Sequence, residues 1–256
     1  MIDLSCDGFL DGRLRILQPR RGFRSGADAV MLAAACPART GQSVLELGCG
    51  AGVASLCLGW RVPGLRLVGL ERQSDYADLA RRNADANEIS LAVVAGDLAR
   101  LPARLRDLTF DHVIANPPYF LSGTLPADGG RAVARREDTP LSVWIDAGLR
   151  RLRPGGILTL IQRADRLDAI LAALAGRAGS AVLLPVAGRA GQAAGRVIAR
   201  AQKGARGPLR LLAPFVMHRA PAHPGDREDL SDAAQAILRH GSPLAPMFGE
   251  SRVTES

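Results

Sequence analysis

The stretch Ser43-Val-Leu-Glu-Leu-Gly-Cys-Gly-Ala-Gly52 decides the fold of this 256-residue chain. Its first half, Ser43 to Leu47, is a short and mostly apolar run that predicts a buried β-strand. The glycines that follow predict a tight loop, because glycine adopts backbone conformations that other residues avoid. Residues 53–58 then have the pattern of a short helix. A strand, a glycine loop and a helix in this order are typical of an α/β fold.

Strands and helices continue to alternate along the chain outward from this unit. Seven strands are predicted, at residues 43–47, 67–71, 91–95, 110–115, 157–161, 181–185 and 196–201. Helical periodicity predicts helices at residues 28–36, 53–58, 74–87, 141–152, 166–174 and 231–238, the last capped by Ser231. A turn is expected at residues 153–156, and residues 8–21 are strand-like or form a hairpin. The predicted fold is α/β and Rossmann-like, a mostly parallel sheet with helices on both faces.

Length and composition favour one domain over residues 1–256, since 47% of the residues are hydrophobic and no linker is evident. We expect a lead (1–40), a core (41–202) and a proline-rich, basic extension (203–256). The longest apolar runs, such as 29–36, are far shorter than the roughly 18 residues of a membrane span. The aspartates near the N-terminus do not suit a signal peptide. The four cysteines have no metal-ligand spacing. We therefore expect a soluble, cytoplasmic protein with no membrane partner and no metal.

A nucleotide-type pocket is predicted at the carboxyl ends of the strands. The glycines Gly48, Gly50 and Gly52 let a ligand approach the backbone closely. Glu71 ends the second strand 19 residues past Gly52, near the ~20-residue interval at which an acid reaches ribose hydroxyls. Asp97 follows the third strand and offers an acceptor for an adenine amino group. Each feature alone also fits an ordinary turn or a solvated strand end, but together they favour an adenosine-containing cofactor.

The acidic residue in the first strand helps to distinguish between two adenosine-containing cofactors, NAD and S-adenosylmethionine. Glu46 lies beside the loop, and the loop lacks the G-x-G-x-x-G spacing of dinucleotide-binding proteins. A carboxylate near the ligand repels a pyrophosphate, whereas it suits a sulfonium and an α-ammonium group. The expected cofactor is therefore S-adenosylmethionine rather than NAD.

The run Asn116-Pro117-Pro118-Tyr119 follows the fourth strand and carries the predicted chemistry. An exocyclic amine on a planar base is a poor nucleophile, because its lone pair is delocalised into the ring. The Asn116 side-chain carbonyl and the Pro117 backbone carbonyl can accept its two N–H groups, more strongly as charge develops on the nitrogen. Tyr119 offers a flat face for the base. The alternative is a rigid strand-to-loop exit, which Asn-Pro and Pro-Pro often mark.

Positive charge is concentrated in the second half of the chain. Residues 1–149 hold 17 Lys+Arg and 17 Asp+Glu, whereas residues 150–256 hold 16 and 8, so the net +8 lies there. This distribution favours a polyanion partner, although a genomic bias toward arginine would also produce it. Arg131, Arg135 and Arg136 follow the tetrapeptide and are expected to hold phosphates while a base turns out of its stack; a solvated loop is the alternative.

These motifs together resemble class I Rossmann-like methyltransferases that act on planar amino or amide nitrogens. More closely, Arg24-Ser-Gly-Ala-Asp-Ala-Val-Met-Leu32 and Arg196-Val-Ile-Ala-Arg200 are similar to the bacterial tRNA adenine-N6 methyltransferases that modify a valine tRNA. The resemblance covers about residues 8–240. It implies a seven-stranded sheet with the last strand antiparallel, S-adenosylmethionine as cofactor and an adenine beside the anticodon as substrate. It further implies that Asp28 closes the cofactor pocket and that Asn116 contacts cofactor as well as substrate, and Ala27 stands where the family commonly has threonine.

Other acceptors and roles remain open at this stage. A glutamine-N5 methyltransferase of release factors shares the tetrapeptide, but it usually has a helical domain of some seventy residues before the loop, and only 47 residues precede Gly48 here. A DNA adenine methyltransferase would normally have a target-recognition domain, and none is evident in this sequence. A cofactor- or RNA-binding protein without turnover is a further alternative. The sequence leaves the tRNA, the adenine and the oligomeric state undefined.

Overall fold

A computed structural model of the protein describes residues 3–121, 136–137, 139–220 and 229–249. Within these ranges the strands, β1 to β13 in chain order, are Leu4–Phe9, Leu14–Pro19, Ser43–Leu47, Arg66–Glu71, Leu91–Ala95, Phe110–Ala115, Phe120–Leu121, Arg136–Glu137, Leu152–Arg163, Ala178–Ala187, Ala194–Lys203, Arg210–Leu211 and Phe215–Val216. The helices, α1 to α7, are Ala27–Ala35, Val53–Arg61, Ser74–Ala86, Ala103–Arg106, Leu141–Arg151, Leu167–Leu174 and Asp232–Leu238.

The central sheet has the order β5-β4-β3-β6-β9-β11-β10, with the short strands β12 and β13 paired to β10. All seven long strands are parallel except β11, which is antiparallel to both of its neighbours. Strand order reverses between β3 and β6, which is where open α/β sheets bind ligands. The predicted α/β class with a mostly parallel sheet is confirmed.

Helices cover both faces of this sheet. Successive side chains of each central strand point to opposite faces, and both sets are apolar, so both faces need a helix layer. Val44 joins a core formed with α1, α2 and α7, whereas Leu45 joins a second core formed with α5 and α6. A strand buried on both faces reads as a nearly continuous apolar run. For this reason the predicted bounds of β3, β5 and β6 agree with the structure.

One predicted turn is wrong. Residues 153–156 lie inside β9 as a bulge, since Leu152 pairs with Phe110 whereas the next pair is Ile157 with His112. Gly155 has a φ of +76°, a conformation that favours glycine and that the bulge requires. The strand continues on both sides of the bulge. The Pro-Gly-Gly signal therefore marks an irregular strand rather than its end.

The N-terminal lead is a β-hairpin, β1–β2, whose strands pair from Leu4 with Pro19 to Phe9 with Leu14. Residues 20–26 connect the hairpin to α1. At the other end of the chain, Ser231 caps α7 as predicted, with its Oγ accepting the Ala234 N–H at 3.1 Å. No helix in the described ranges is long and apolar enough to cross a membrane.

Candidate active site

The carboxyl ends of β3, β4, β5 and β6 meet at one edge of the sheet and form a cleft of about 1490 Å³. Nearly all of the residues predicted from the sequence to form the pocket line it, namely Asp28, Glu46, Gly48, Gly50, Glu71, Asp97, Asn116, Pro117 and Tyr119. Gly52 is the exception. It does not line the cleft; it is the N-cap residue of α2, with a φ of 87°.

The glycine loop is shaped by close packing against α5. Gly48 has a φ of +65°, and a Cβ added to it would lie 2.5 Å from Cη2 of Trp144. Both the backbone conformation and the space therefore require glycine. Trp144 also lines the cleft, and its indole N–H has no hydrogen-bond partner among the described residues. This buried N–H beside the glycine loop is a hydrogen-bond donor that a bound ligand could satisfy.

Glu71 is fixed at the end of β4 by two backbone donors. The Gly50 N–H donates to Oε2 at 2.9 Å, and the Gln73 N–H donates to Oε1 at 2.8 Å. The carboxylate is buried and bridges the glycine loop and the start of α3. Each of its oxygens has a further lone pair, so the side chain can still accept the hydroxyls of a ribose.

Glu46 is buried more deeply, with 4% of its surface exposed. The backbone N–H and the hydroxyl of Ser55 on α2 both donate to its Oε2. Burial raises the pKa of this carboxyl to about 8, against the lowering effect of the Ser55 hydrogen bonds. Its charge at neutral pH therefore depends on what occupies the cleft, and a bound cation favours the ionised form.

Asp97 follows β5 and is half-buried at the wall of the cleft. Its Oδ1 accepts the N–H of Ala99 at 2.9 Å, which holds the side chain in a local turn. A carboxylate held in this way is an acceptor for an amino group of the kind that adenine carries.

The tetrapeptide leaves β6 with both of its proposed acceptors at the cleft. The Tyr119 hydroxyl lies 2.8 Å from Asn116 Oδ1, and the Pro117 carbonyl accepts a long hydrogen bond of 3.4 Å from Nε2 of Gln162. Neither histidine nor lysine is among the described residues that line the cleft. At the tetrapeptide itself, the Asn116 and Pro117 carbonyl oxygens can accept hydrogen bonds from a bound amine.

Tyr119 joins a polar cluster with Asp28 of α1 and Arg196 of β11. The Tyr119 hydroxyl donates to Asp28 Oδ2 at 2.6 Å, and Nε of Arg196 lies 3.1 Å from the same oxygen. The Arg196 guanidinium carbon is 4.4 Å from the centroid of the Tyr119 ring. Burial raises the pKa of the Tyr119 phenol above its usual range, and the Asp28 carboxylate raises it further, so the hydroxyl stays protonated.

The sequence predicts no contact in the site for Arg196, Trp144 or Gln162. Arg196 of β11 and Trp144 of α5 line the cleft, and Gln162 near the end of β9 bonds the Pro117 carbonyl without lining it. Gln162 stands near the end of an apolar run, and Arg196 begins the stretch Arg196–Arg200 that carries part of the family resemblance, but neither signal predicts a contact with the tetrapeptide. The proposed phosphate contacts Arg131 and Arg135 lie outside the described residues. Arg136 lies on β8 and pairs with Phe120 next to the tetrapeptide.

Arginines of the segment between β2 and α1 also reach the cleft. Arg20, Arg21 and Arg24 line its mouth, and all three are exposed. Phe23 lies between Arg21 and Arg24 in the chain, and its ring carbon Cε1 would be 3.8 Å from a Cβ placed on Gly50. The segment therefore forms a basic rim with an aromatic contact to the glycine loop.

The residues present fit S-adenosylmethionine. The acids of the cleft suit its sulfonium and α-ammonium groups, and Glu71 and Asp97 offer acceptors for ribose hydroxyls and an adenine amino group. The closely approached glycine loop and the unpartnered indole N–H of Trp144 are consistent with a ligand at this place.

Known proteins that are similar to this chain are methyltransferases. Residues 25–174 match the family model of the methyltransferase small domain. A Porphyromonas gingivalis protein named tRNA1(Val) (adenine(37)-N6)-methyltransferase is 35% identical over 173 residues, which cover 64% of this chain and 68% of that protein. A protein of the same name from Shewanella halifaxensis is 31% identical over 159 residues, covering 60% of this chain and 64% of the relative.

Solved structures show the same fold. A predicted O-methyltransferase from Agrobacterium tumefaciens superposes with a TM-score of 0.69 at 28% identity, covering 84% of this chain and 97% of that one. A Thermus thermophilus 16S rRNA N2 G1207 methyltransferase, solved with AdoMet and guanosine, has a TM-score of 0.54 at 18% identity over 79% of this chain and 51% of its own. From the family match, the relatives and the strand-end cleft, we conclude that the chain belongs to the methyltransferase small domain family of class I, S-adenosylmethionine-dependent enzymes.

Proposed function

We propose that the protein transfers a methyl group from S-adenosylmethionine to the exocyclic N6 of an adenine in tRNA. The observation that carries the proposal is the position of Asn116-Pro117-Pro118-Tyr119 at the end of β6, in the same cleft as the glycine loop and Glu71. The names of the relatives at 31–35% identity support the same substrate class.

In this proposal the chain holds the amine rather than deprotonating it. Asn116 Oδ1 and the Pro117 carbonyl accept one N–H each, and Pro117 and Pro118 limit the backbone so that these acceptors are fixed in advance. The Pro117 carbonyl accepts a hydrogen bond from Gln162, and the single hydrogen of the Tyr119 hydroxyl is shared between Asp28 Oδ2 and Asn116 Oδ1. A carbonyl oxygen has two lone pairs, so each of the two acceptors can also accept an N–H of the amine.

S-adenosylmethionine supplies an electrophilic methyl group when it is bound against the glycine loop, Glu46, Glu71 and Asp97. The nitrogen would bond to the methyl carbon while the bond from that carbon to the cofactor sulfur breaks, which leaves the cofactor as a neutral thioether. The nitrogen becomes tetrahedral and cationic, and its hydrogens become more positive. The two carbonyl acceptors therefore bind the transition state more tightly than the ground state. The nitrogen then loses a proton to solvent.

The proposal of an RNA partner is based on the positive charge of the chain and on arginines at the mouth of the cleft. The net +8 lies in residues 150–256, and the mouth of the cleft adds Arg20 and Arg21, which are exposed. A base that enters the cleft leaves its own phosphates at the mouth, where guanidinium groups can pair with them. Arg131, Arg135 and Arg136 remain proposed phosphate contacts from the segment after the tetrapeptide.

A labelling experiment tests the proposal. The protein is incubated with methyl-labelled S-adenosylmethionine and with total RNA, DNA or protein fractions, and labelled RNA is then digested to nucleosides. We expect label in the tRNA fraction as N6-methyladenosine. Label in protein, recovered as N5-methylglutamine, would replace adenine with a glutamine amide as the acceptor. Cofactor binding without label in any fraction would mean that the chain binds without turnover.

A further inference from the structure

Arg196 contacts the tetrapeptide from a strand that lies two positions away from β6 in the sheet. Its guanidinium lies over the ring of Tyr119 at 4.4 Å from the centroid, and its Nε is 3.1 Å from Asp28 Oδ2. The Tyr119 hydroxyl donates to the same Asp28 oxygen. One arginine therefore holds both the ring and the carboxylate that binds the ring's hydroxyl.

This geometry fixes Tyr119 at two places. Asp28 and Asn116 hold the hydroxyl end, at 2.6 and 2.8 Å, and Arg196 covers one face of the ring. An aromatic ring has two faces, so a base that stacks on Tyr119 uses the face opposite Arg196. A cation over one face also restricts rotation of the ring, because the guanidinium is attracted to the π electrons at short range.

We infer that Arg196 is a positioning residue for the acceptor base, which acts through the ring of Tyr119 and the carboxylate of Asp28. The inference rests on the proposed function and deepens it. By holding the ring in one orientation, Arg196 aligns the stacking face with the amine acceptors at Asn116 and Pro117. A base held 1 Å out of place loses much of the rate that alignment supplies.

Kinetics of the Arg196→Gln and Arg196→Lys variants test this role on the full chain with an RNA substrate. We expect Arg196→Gln to lower kcat by roughly 5- to 30-fold, the range that one cation–π contact supplies. Arg196→Lys keeps a cation beside Asp28 and above the ring, so it should recover most of this loss. Because the effect is on alignment, kcat should change more than KM.

The matched control is Arg177→Gln. Arg177 pairs with Asp146 at 2.9 Å, its side chain has 41% of its surface exposed against 35% for Arg196, and it does not line the cleft. This variant should keep the wild-type kcat, and a change of KM that it shares with Arg196→Gln reflects the lost charge alone. If Arg196→Gln raises KM and leaves kcat unchanged, Arg196 binds the RNA directly and the inference is wrong. If kcat rises, the base displaces Arg196 from the ring, and the inference is equally wrong.

A second measurement does not depend on turnover. The chain has two tyrosines, Tyr76 and Tyr119, so protein with ¹³C-labelled tyrosine rings gives two sets of signals, which Tyr76→Phe assigns. We expect Arg196→Gln to shift and broaden the Tyr119 signals and to leave Tyr76 unchanged. An unchanged Tyr119 ring would overturn the inference even if the wild-type protein methylates RNA. Wild-type protein that methylates no RNA, with the ring shift present, would instead overturn the proposed function.

Discussion

Asn83 of α3 hydrogen-bonds both backbone groups of Leu17 in the hairpin strand β2. Its Oδ1 accepts the Leu17 N–H at 2.8 Å, and its Nδ2 donates to the Leu17 carbonyl at 3.0 Å, in the way that a neighbouring strand would. The second Nδ2 hydrogen binds the carbonyl of Ala51 in the glycine loop at 2.9 Å. One buried amide thus joins the hairpin, which leads into the basic rim, to the loop that shapes the cofactor cleft.

The Asn83→Ala variant should lose stability and cofactor affinity together. Three hydrogen bonds disappear and leave buried backbone groups without partners, which should lower the free energy of unfolding by roughly 2–4 kcal/mol. The cleft wall formed by residues 19–25 should then loosen, and the Kd for S-adenosylmethionine should rise. Denaturant unfolding and calorimetric titration measure the two effects.

The control for this prediction is Asn87→Ala, at the C-cap residue of α3 one turn after Asn83. Asn87 bonds the N–H and the carbonyl of Arg15 at 2.9 Å each, but at a site that water reaches. Its loss should cost less stability and leave the cofactor Kd unchanged. Equal effects of the two variants on the cofactor Kd would show that the bond to Ala51 has no special role.

The Asn116→Ala variant should lose methylation and retain most of its cofactor affinity, because the glycine loop, Glu71 and Asp97 still line the cofactor cleft. In the proposed mechanism, this substitution removes one of the two preorganised acceptors of the amine. Loss of one such hydrogen-bond partner typically lowers kcat by ~10²–10³-fold. The Asn116→Asp variant keeps an oxygen acceptor at the same place and should lose less. Single-turnover methylation and calorimetric titration of the cofactor separate the two steps. Unchanged methylation by Asn116→Ala would refute the proposed role of this side chain.

Glu46 should make the stability of the ligand-free protein fall as pH rises. Its pKa in the folded protein is about 8, above the ordinary value of 4.5, so between these pH values the folded chain keeps a proton that the unfolded chain has lost. Folding therefore binds a proton, and the contribution of Glu46 to the free energy of unfolding decreases across this window. Glu46→Gln should remove that decrease, and it should be more stable than the wild type at pH 8 and similar to it at pH 4.5.

The same carboxyl should link cofactor binding to pH. A cationic ligand favours ionised Glu46, so binding near neutral pH should release protons, and affinity should rise as pH approaches 8. Titrations in buffers of different ionisation enthalpy measure the released protons. The Glu46→Gln variant corrects for titration of the cofactor itself. Equal proton release by wild type and variant would mean that Glu46 does not respond to the ligand.

Several of the residues that the sequence identified share one property, which is that each lies at or just after the end of a strand. Glu71, Asp97 and Asn116 each come at or just after the end of a buried parallel strand, so local pattern alone brings them to one edge of the sheet. Gly52 follows the same rule but begins α2 instead of lining the cleft. Position along a strand identifies the edge, and packing then decides which residues face the ligand.

Contacts that depend on distant packing could not be predicted from the sequence. Arg196 lies 77 positions after Tyr119 in the chain and meets it only because β11 inserts antiparallel between β9 and β10. Trp144 reaches the glycine loop through the packing of α5 on the sheet. β1 was predicted only in its last residues, because its half-exposed side chains lack the apolar run of a central strand.

Removing Arg20 and Arg21 together should weaken RNA binding and leave cofactor binding intact. Both side chains are exposed at the mouth of the cleft, and the proposed function has them pair with phosphates of the bound RNA. Each phosphate contact contributes about one unit to the slope of log K against log salt, so the Arg20→Gln/Arg21→Gln variant should reduce this slope by about 1–2. Fluorescence anisotropy with tRNA between low and physiological salt measures it.

The matched control for the rim is Arg82→Gln/Arg104→Gln, which removes the same charge from two exposed positions that do not line the cleft. If general attraction between a basic protein and RNA explains binding, the two double variants should lower affinity equally, because long-range attraction depends on net charge rather than on place. If the rim holds phosphates beside the entering base, only the Arg20 and Arg21 variant should lower the salt slope and raise KM. A higher cofactor Kd in that variant would instead assign the rim to the cofactor pocket, and RNA binding would then depend on other arginines.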